Sequence, residues 1–155
     1  MATAFLFSTG CSLFGGGGLE HADGFSALAP SGWKAQEKGD SDYAYRTPQG
    51  SVATLTSSCD SEINTTQLES LTRHLLFGAR NIEFESRKNM PINGTDGLYS
   101  QLSATYGKVP FKLLVFVWPH ENCVFDFTLL NPKAISEKDQ TEFLEFIKSF
   151  NYGKK

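Results

Sequence analysis

Two apolar runs joined by a short polar corner dominate the pattern along the chain. They are Phe111-Lys112-Leu113-Leu114-Val115-Phe116-Val117-Trp118 and Cys123-Val124-Phe125-Asp126-Phe127-Thr128-Leu129-Leu130, with the corner at Pro119–Asn122. Valine, phenylalanine and tryptophan suit a pleated, half-buried surface, and Pro119 would break one long helix. The spacing therefore predicts a β-hairpin at the centre of an antiparallel sheet. In the first run both alternating sets are apolar, Leu113, Val115 and Val117 against Leu114, Phe116 and Trp118. In the second, Phe125, Phe127 and Leu129 make one apolar side, and Asp126 with Thr128 reads as the solvated one.

The flanking segments supply shorter elements. The globular domain is read as starting at Phe25, with a short strand, a turn at Pro30-Ser31-Gly32, and a second strand from Trp33 to Glu37. Tyr43–Arg46 and Ser51–Thr56 read as a hairpin around Thr47-Pro48-Gln49-Gly50, which suits a type I turn. Ile82–Glu85 alternates, Asn89–Gly94 is expected to be a turn region, and Leu98–Tyr106 should be a strand leading through Gly107 into the central hairpin.

Two stretches switch to helical spacing. Thr66-Gln67-Leu68-Glu69 matches a capping box, Leu68, Leu71 and Leu75 form a stripe, and Gly78 is the expected stop. Ser136 with Asp139 opens a second helix, in which Phe143, Phe146, Ile147 and Phe150 fall at i, i+3, i+4 and i+7. Both helices should pack on the sheet, with Leu71, Leu75 and these four residues buried. Asn151–Lys155 reads as a fraying tail.

Length and composition place this in one domain with a short appendage: 155 residues, 40% hydrophobic, 20% charged. The formal charge of −3 gives no electrostatic basis for binding nucleic acid or an anionic membrane surface. No run reaches the roughly 18–20 apolar residues of a membrane-spanning helix.

Three cysteines carry more information. Cys11 ends the segment Ala2-Thr3-Ala4-Phe5-Leu6-Phe7-Ser8-Thr9-Gly10, whereas Cys59 and Cys123 lie inside the domain. The odd count fits one lipidated cysteine and one disulfide; three independent buried thiols are the alternative. Residues 1–11 are thus read as a lipoprotein signal segment. Phe7-Ser8-Thr9-Gly10-Cys11 resembles a bacterial lipobox, with Ser8 where Leu, Val or Ile is usual. No Lys or Arg precedes the apolar segment, so the leader is expected to begin upstream of Met1. Residues 12–24, with Gly15–Gly18, are expected to be a flexible tether, and 25–152 the domain. Ser12 after the cysteine resembles the outer-membrane sorting pattern. In an oxidising compartment Cys59 and Cys123, separated by 64 positions, would pair.

Pro30-Ser31-Gly32-Trp33 after a short strand, the order of the following elements, and the phenylalanine-rich closing helix up to Phe150 resemble Mog1/PsbP-like domains. The resemblance implies an α+β fold: a central antiparallel sheet sandwiched with two helices. Thr54–Asp60 and Leu71–Gly78 are also similar to segments of small lipoproteins from Gram-negative bacteria. Members of the fold do unrelated things, nuclear transport and photosystem assembly among them, so the resemblance carries over no activity and no binding residue.

Candidate chemistry is sparse. His120 and Cys123 have the gap of half a metal site, but no second half stands at ligand spacing. A hydrolase would need His120, Asp126 and a serine, and no G-x-S-x-G elbow is present. His21 falls in the tether and His74 beside the first helix stripe. Glu137, Asp139, Glu142 and Glu145 read as one solvated helix face. The expectation is a protein without catalytic residues, metal or cofactor, tethered by its lipid at the periplasmic face of the outer membrane, with the inner membrane as the other location. There it would serve as a binding or assembly module with a protein partner in the envelope. The alternative is a ligand- or lipid-handling accessory of an envelope transport system. A contiguous apolar cavity would favour the second reading, and a flat apolar patch the first.

Overall fold

The computed structural model describes residues 20–60 and 67–152. The chain runs β1 (Phe25–Ser26), β2 (Lys34–Ala35), β3 (Tyr43–Arg46), β4 (Val52–Cys59), α1 (Leu68–Leu75), β5 (Arg80–Ile92), β6 (Thr95–Tyr106), β7 (Val109–His120), β8 (Cys123–Asn131), α2 (Glu137–Lys148) and β9 (Asn151–Tyr152). Seven strands make one antiparallel sheet in the order β2-β3-β4-β8-β7-β6-β5, so the β7–β8 hairpin is central. β1 and β9 pair separately. The residues expected to fray thus begin with a strand, Phe25 opposite Tyr152.

The doubly apolar pattern of β7 follows from what covers it. Leu114, Phe116 and Trp118 face a core completed by Phe125, Phe127, Leu129 and by Phe143, Phe146, Ile147 and Phe150 of the closing helix region. Leu113, Val115 and Val117 face the opposite layer, where Leu68, Leu71 and Leu75 of α1 pack. The two helices therefore lie on opposite faces. The α2 stripe is buried throughout, whereas Leu71 and Leu75 are only half-buried, because α1 is short and lies at the surface.

Several boundaries move. β5 runs on to Ile92, and its turn is only Asn93-Gly94, both at positive φ as a tight hairpin requires. Pro91 does not end the strand, because β5 is an edge and its missing N–H interrupts no outer ladder. β7 likewise continues through Pro119, beyond its last β6 partner at Val117, so the corner shrinks to Glu121-Asn122. The expected cap Thr66 lies outside the described residues. Gln67 occupies the N-cap position of α1 without a side-chain hydrogen bond.

Ser136 caps α2, accepting a hydrogen bond from the Asp139 amide at 3.0 Å. Asp139 does not join the solvated acids. It is fully buried, and its Oδ2 accepts bonds from Thr47 (3.0 Å) and from Ser51, whose hydroxyl also accepts from Asn131. The β3–β4 turn is thereby fastened to the start of α2. Glu142 is tied as well, accepting the Trp33 indole N–H at 2.7 Å, while Trp33 packs on Tyr45 and Phe146. The Pro30–Trp33 corner is thus the anchor of α2.

Candidate functional site

The residues singled out in the sequence do not converge on one reactive centre. Cys11 lies outside the described residues. Cys59 and Cys123 stand opposite each other across β4 and β8 and form a disulfide, with Cα atoms 4.0 Å apart. His120 stacks on Trp118 and packs 4.3 Å from the Tyr152 ring. Its side chain lies on the α2 side of the sheet, whereas Asp126 lies on the α1 side, so strand alternation keeps them apart. His74 is exposed on α1.

His21 behaves otherwise than a tether residue. Its Nδ1 lies 3.1 Å from Oδ1 of Asp42, and Oδ2 of Asp42 accepts from both the amide and the hydroxyl of Ser57, at 2.6 and 2.8 Å. The Ala22 amide donates to the Ser57 hydroxyl, and the Cys59 amide to the Glu20 carbonyl. Residues 20–22, assigned to the tether in the sequence, are thus strapped to β4. The serine hydroxyl donates to the aspartate rather than to the histidine, so this His-Asp-Ser set lacks the nucleophile–base contact of a triad.

Asp126 is the other correction. It is 7% exposed, between cross-strand neighbours Thr56 and Val117, and its Oδ1 has no hydrogen-bond partner among the described residues. Burial pushes its carboxyl up to about 7.

A different feature stands out on the same face of the sheet. α1 packs over β6 and β7, leaving β8 beside it rather than beneath it. The gap is an apolar groove of about 410 Å³. Leu75, Leu76, Phe77 and Ala79 form one wall, where the chain leaves α1 through Gly78 at φ +88°. That left-handed turn, with the Tyr106 ring packed on Gly78, presents Phe77 outward. Tyr106 and Val109, at the tip of the β6–β7 hairpin, with Phe111 and Leu113, form the second wall. Thr128, Leu130 and Pro132 close the third. Among the described residues five large apolar side chains are exposed, and Phe77, Tyr106, Val109 and Leu130 all belong to this groove. Such clustering differs from the singly scattered apolar residues of an ordinary surface. Its volume lies within the roughly 300–1,000 Å³ range of small-molecule sites. Sequence reasoning missed it, although Phe77, Val109 and Leu130 at element ends were the signal.

No protein-family model matches the chain, and no curated protein matches it in sequence. Solved structures do resemble it. Cyanobacterial PsbP (CyanoP) from Synechocystis sp. PCC 6803 is 18% identical with a TM-score of 0.62, over 90% of this chain and 96% of that one. LpqN, involved in cell envelope biogenesis of Mycobacterium tuberculosis, is 11% identical with a TM-score of 0.58, over 83% and 84%. A protein of Bacteroides thetaiotaomicron VPI-5482 is 17% identical with a TM-score of 0.57, over 84% of this chain, which spans only 45% of that one. The α+β fold is therefore PsbP-like. At these identities the likeness shows the fold and nothing of the chemistry.

Proposed function

We propose that this protein is a non-catalytic accessory module of the cell envelope that holds the apolar chain of a ligand in the groove between α1 and the sheet. The observation that carries this reading is the groove itself, a contiguous apolar space of about 410 Å³ walled by a helix exit, a hairpin tip and a strand end. That shape favours ligand handling over docking on a flat patch. Each methylene withdrawn from water there contributes about 0.8 kcal/mol. The lipobox-like segment ending at Cys11 and the glycine run after it support attachment at the periplasmic face of the outer membrane, where such ligands are abundant. LpqN's involvement in envelope biogenesis agrees with that setting.

The test is binding of the neutral fluorophore 1-N-phenylnaphthylamine to the purified domain. Its emission should rise on binding, and Val109→Asp with Leu130→Asp should weaken binding by at least about tenfold, since a charge in an apolar site costs more than the 1.4 kcal/mol that tenfold represents. Both positions are already open to solvent, so the variant should keep its fold. Unchanged binding in the variant, or none in the parent protein, would sink the reading.

A further inference from the structure

The apolar groove does not end blindly. At Phe111 and Pro132 it shares a border with a second, polar cleft of about 310 Å³. Asn81, Thr105, Lys112 and Lys133 line that cleft, together with one acid, Glu83. Charge in the segments that supply the groove's lining is one-sided too. The charged side chains directly next in sequence to its lining residues are Arg80, Lys108, Lys112 and Lys133, with His74 beside them and no Asp or Glu. The chain as a whole has 17 acids against 14 Lys and Arg, so an excess of cations here, with Glu83 and Glu85 as the nearby acids, runs against its average. Lys112 is neutralised by Glu85 at 3.1 Å. Arg80, Lys108 and Lys133 make no ion pair with any described residue, and all three are exposed.

From the adjoining apolar groove and polar cleft, and from these unpaired cations, we infer that the ligand is an anionic amphiphile. Its hydrocarbon tail lies in the groove and its carboxylate or phosphate head sits at Lys133 in the adjoining cleft, with Lys108, next to Val109 at the hairpin tip, as the second cation. This rests on the proposed ligand-handling role and specifies its substrate class. The physical division is that of any amphiphile site. The tail supplies most of the affinity through burial, and the cations supply orientation and the choice of head group. Lys112, held by Glu85, is the expected spacer rather than a contact.

The experiment uses amphiphiles with one chain length and three head charges: dodecanoate, dodecyl maltoside and dodecyltrimethylammonium. Each is titrated below its micellar concentration into the protein carrying 1-N-phenylnaphthylamine, and displacement is followed. Dodecanoate is expected to bind about tenfold more tightly than the other two, the scale of one or two unit charges at about 4 Å in water. Lys108→Ala with Lys133→Ala should abolish that preference while leaving dodecyl maltoside unchanged, and added salt should shrink it in the parent protein. Equal binding of all three, unaltered in the variant, would overturn the anionic head and leave the groove reading standing. Failure of every amphiphile to displace the dye would overturn both. A last arm separates free lipid from a membrane surface. If the protein sediments with phosphatidylglycerol vesicles but takes up no monomeric dodecanoate, the basic rim serves surface docking and the inference fails.

Discussion

Asp126 is a carboxyl that strand alternation places on a buried face of the sheet. Its ordinary value of 3.8 is raised to about 7 by burial. A folded-state value above the unfolded one means that the native protein holds the proton more tightly. The stability this gives is present below about pH 4 and is lost as pH climbs to about 7, by up to about 4 kcal/mol. Asp126→Asn keeps the shape without the charge. Urea unfolding at pH 5 and pH 8 should show the variant gaining on the parent as pH rises, and parallel behaviour would contradict the buried carboxyl. Gly97 is constrained in a different way. A Cβ there would stand 2.4 Å from the Phe116 ring and 2.7 Å from the Val117 carbonyl, so β6 passes the core only because this position is bare. Gly97→Ala should cost about 1–3 kcal/mol in the same unfolding assay, as overpacking does.

The closing helix α2 shows how one periodic stripe assembles a layer. Phe146 is fully buried against Trp33, Tyr45 and Phe127. Phe146→Ala should lower unfolding free energy by about 3–5 kcal/mol, the usual cost of emptying a close-packed aromatic site. A loss below about 1 kcal/mol would mean that the site collapses without strain. Between strands, the Cys59–Cys123 bond joins β4 to β8 over a sequence separation of 64. Constraint of the unfolded chain by such a loop is worth about 4 kcal/mol in the chain-entropy model. Cys59→Ser with Cys123→Ser should shift the urea midpoint by a loss of about 2–4 kcal/mol, and an unmoved midpoint would assign the bond no thermodynamic role.

For the molecule as a whole, the strap of residues 20–22 bears on how a tethered domain would be held. Glu20, His21 and Ala22 bond to β4 and to Asp42, so the chain reaches the domain at the Cys59–Cys123 end of the sheet. The groove lies towards the other end of the same sheet, at the β6–β7 turn. Residues 20–22 and the groove thus lie at opposite ends of the sheet, and the proposed attachment through Cys11 is a separate prediction. If Cys11 carries the anchor, Cys11→Ala should move the protein expressed in a Gram-negative host from the membrane fraction to the soluble one. Membrane retention of the variant would remove Cys11 as the anchor.

The antiparallel hairpin, the two helices and the buried α2 stripe were legible in the sequence because each rests on spacing within one segment. Alternation in Leu113–Trp118 and the i, i+3, i+4, i+7 set from Phe143 to Phe150 depend only on backbone period. The disulfide was legible for a chemical reason, since two domain thiols would pair in the oxidising compartment expected of an exported chain. What lay beyond reach depends on which segments meet. Asp126 and Asp139 look like solvated acids from period alone, and only the partners brought by β4, β7 and the β3–β4 turn bury them. Pro91 looks like a strand break until its strand is found at the sheet edge. The net charge of −3 likewise hides the basic rim, because a sum carries no positions. The groove is the furthest from any local rule. It exists where a short helix covers β6 and β7 but not β8, so tertiary packing alone decided that Phe77, Val109 and Leu130 would share one apolar space.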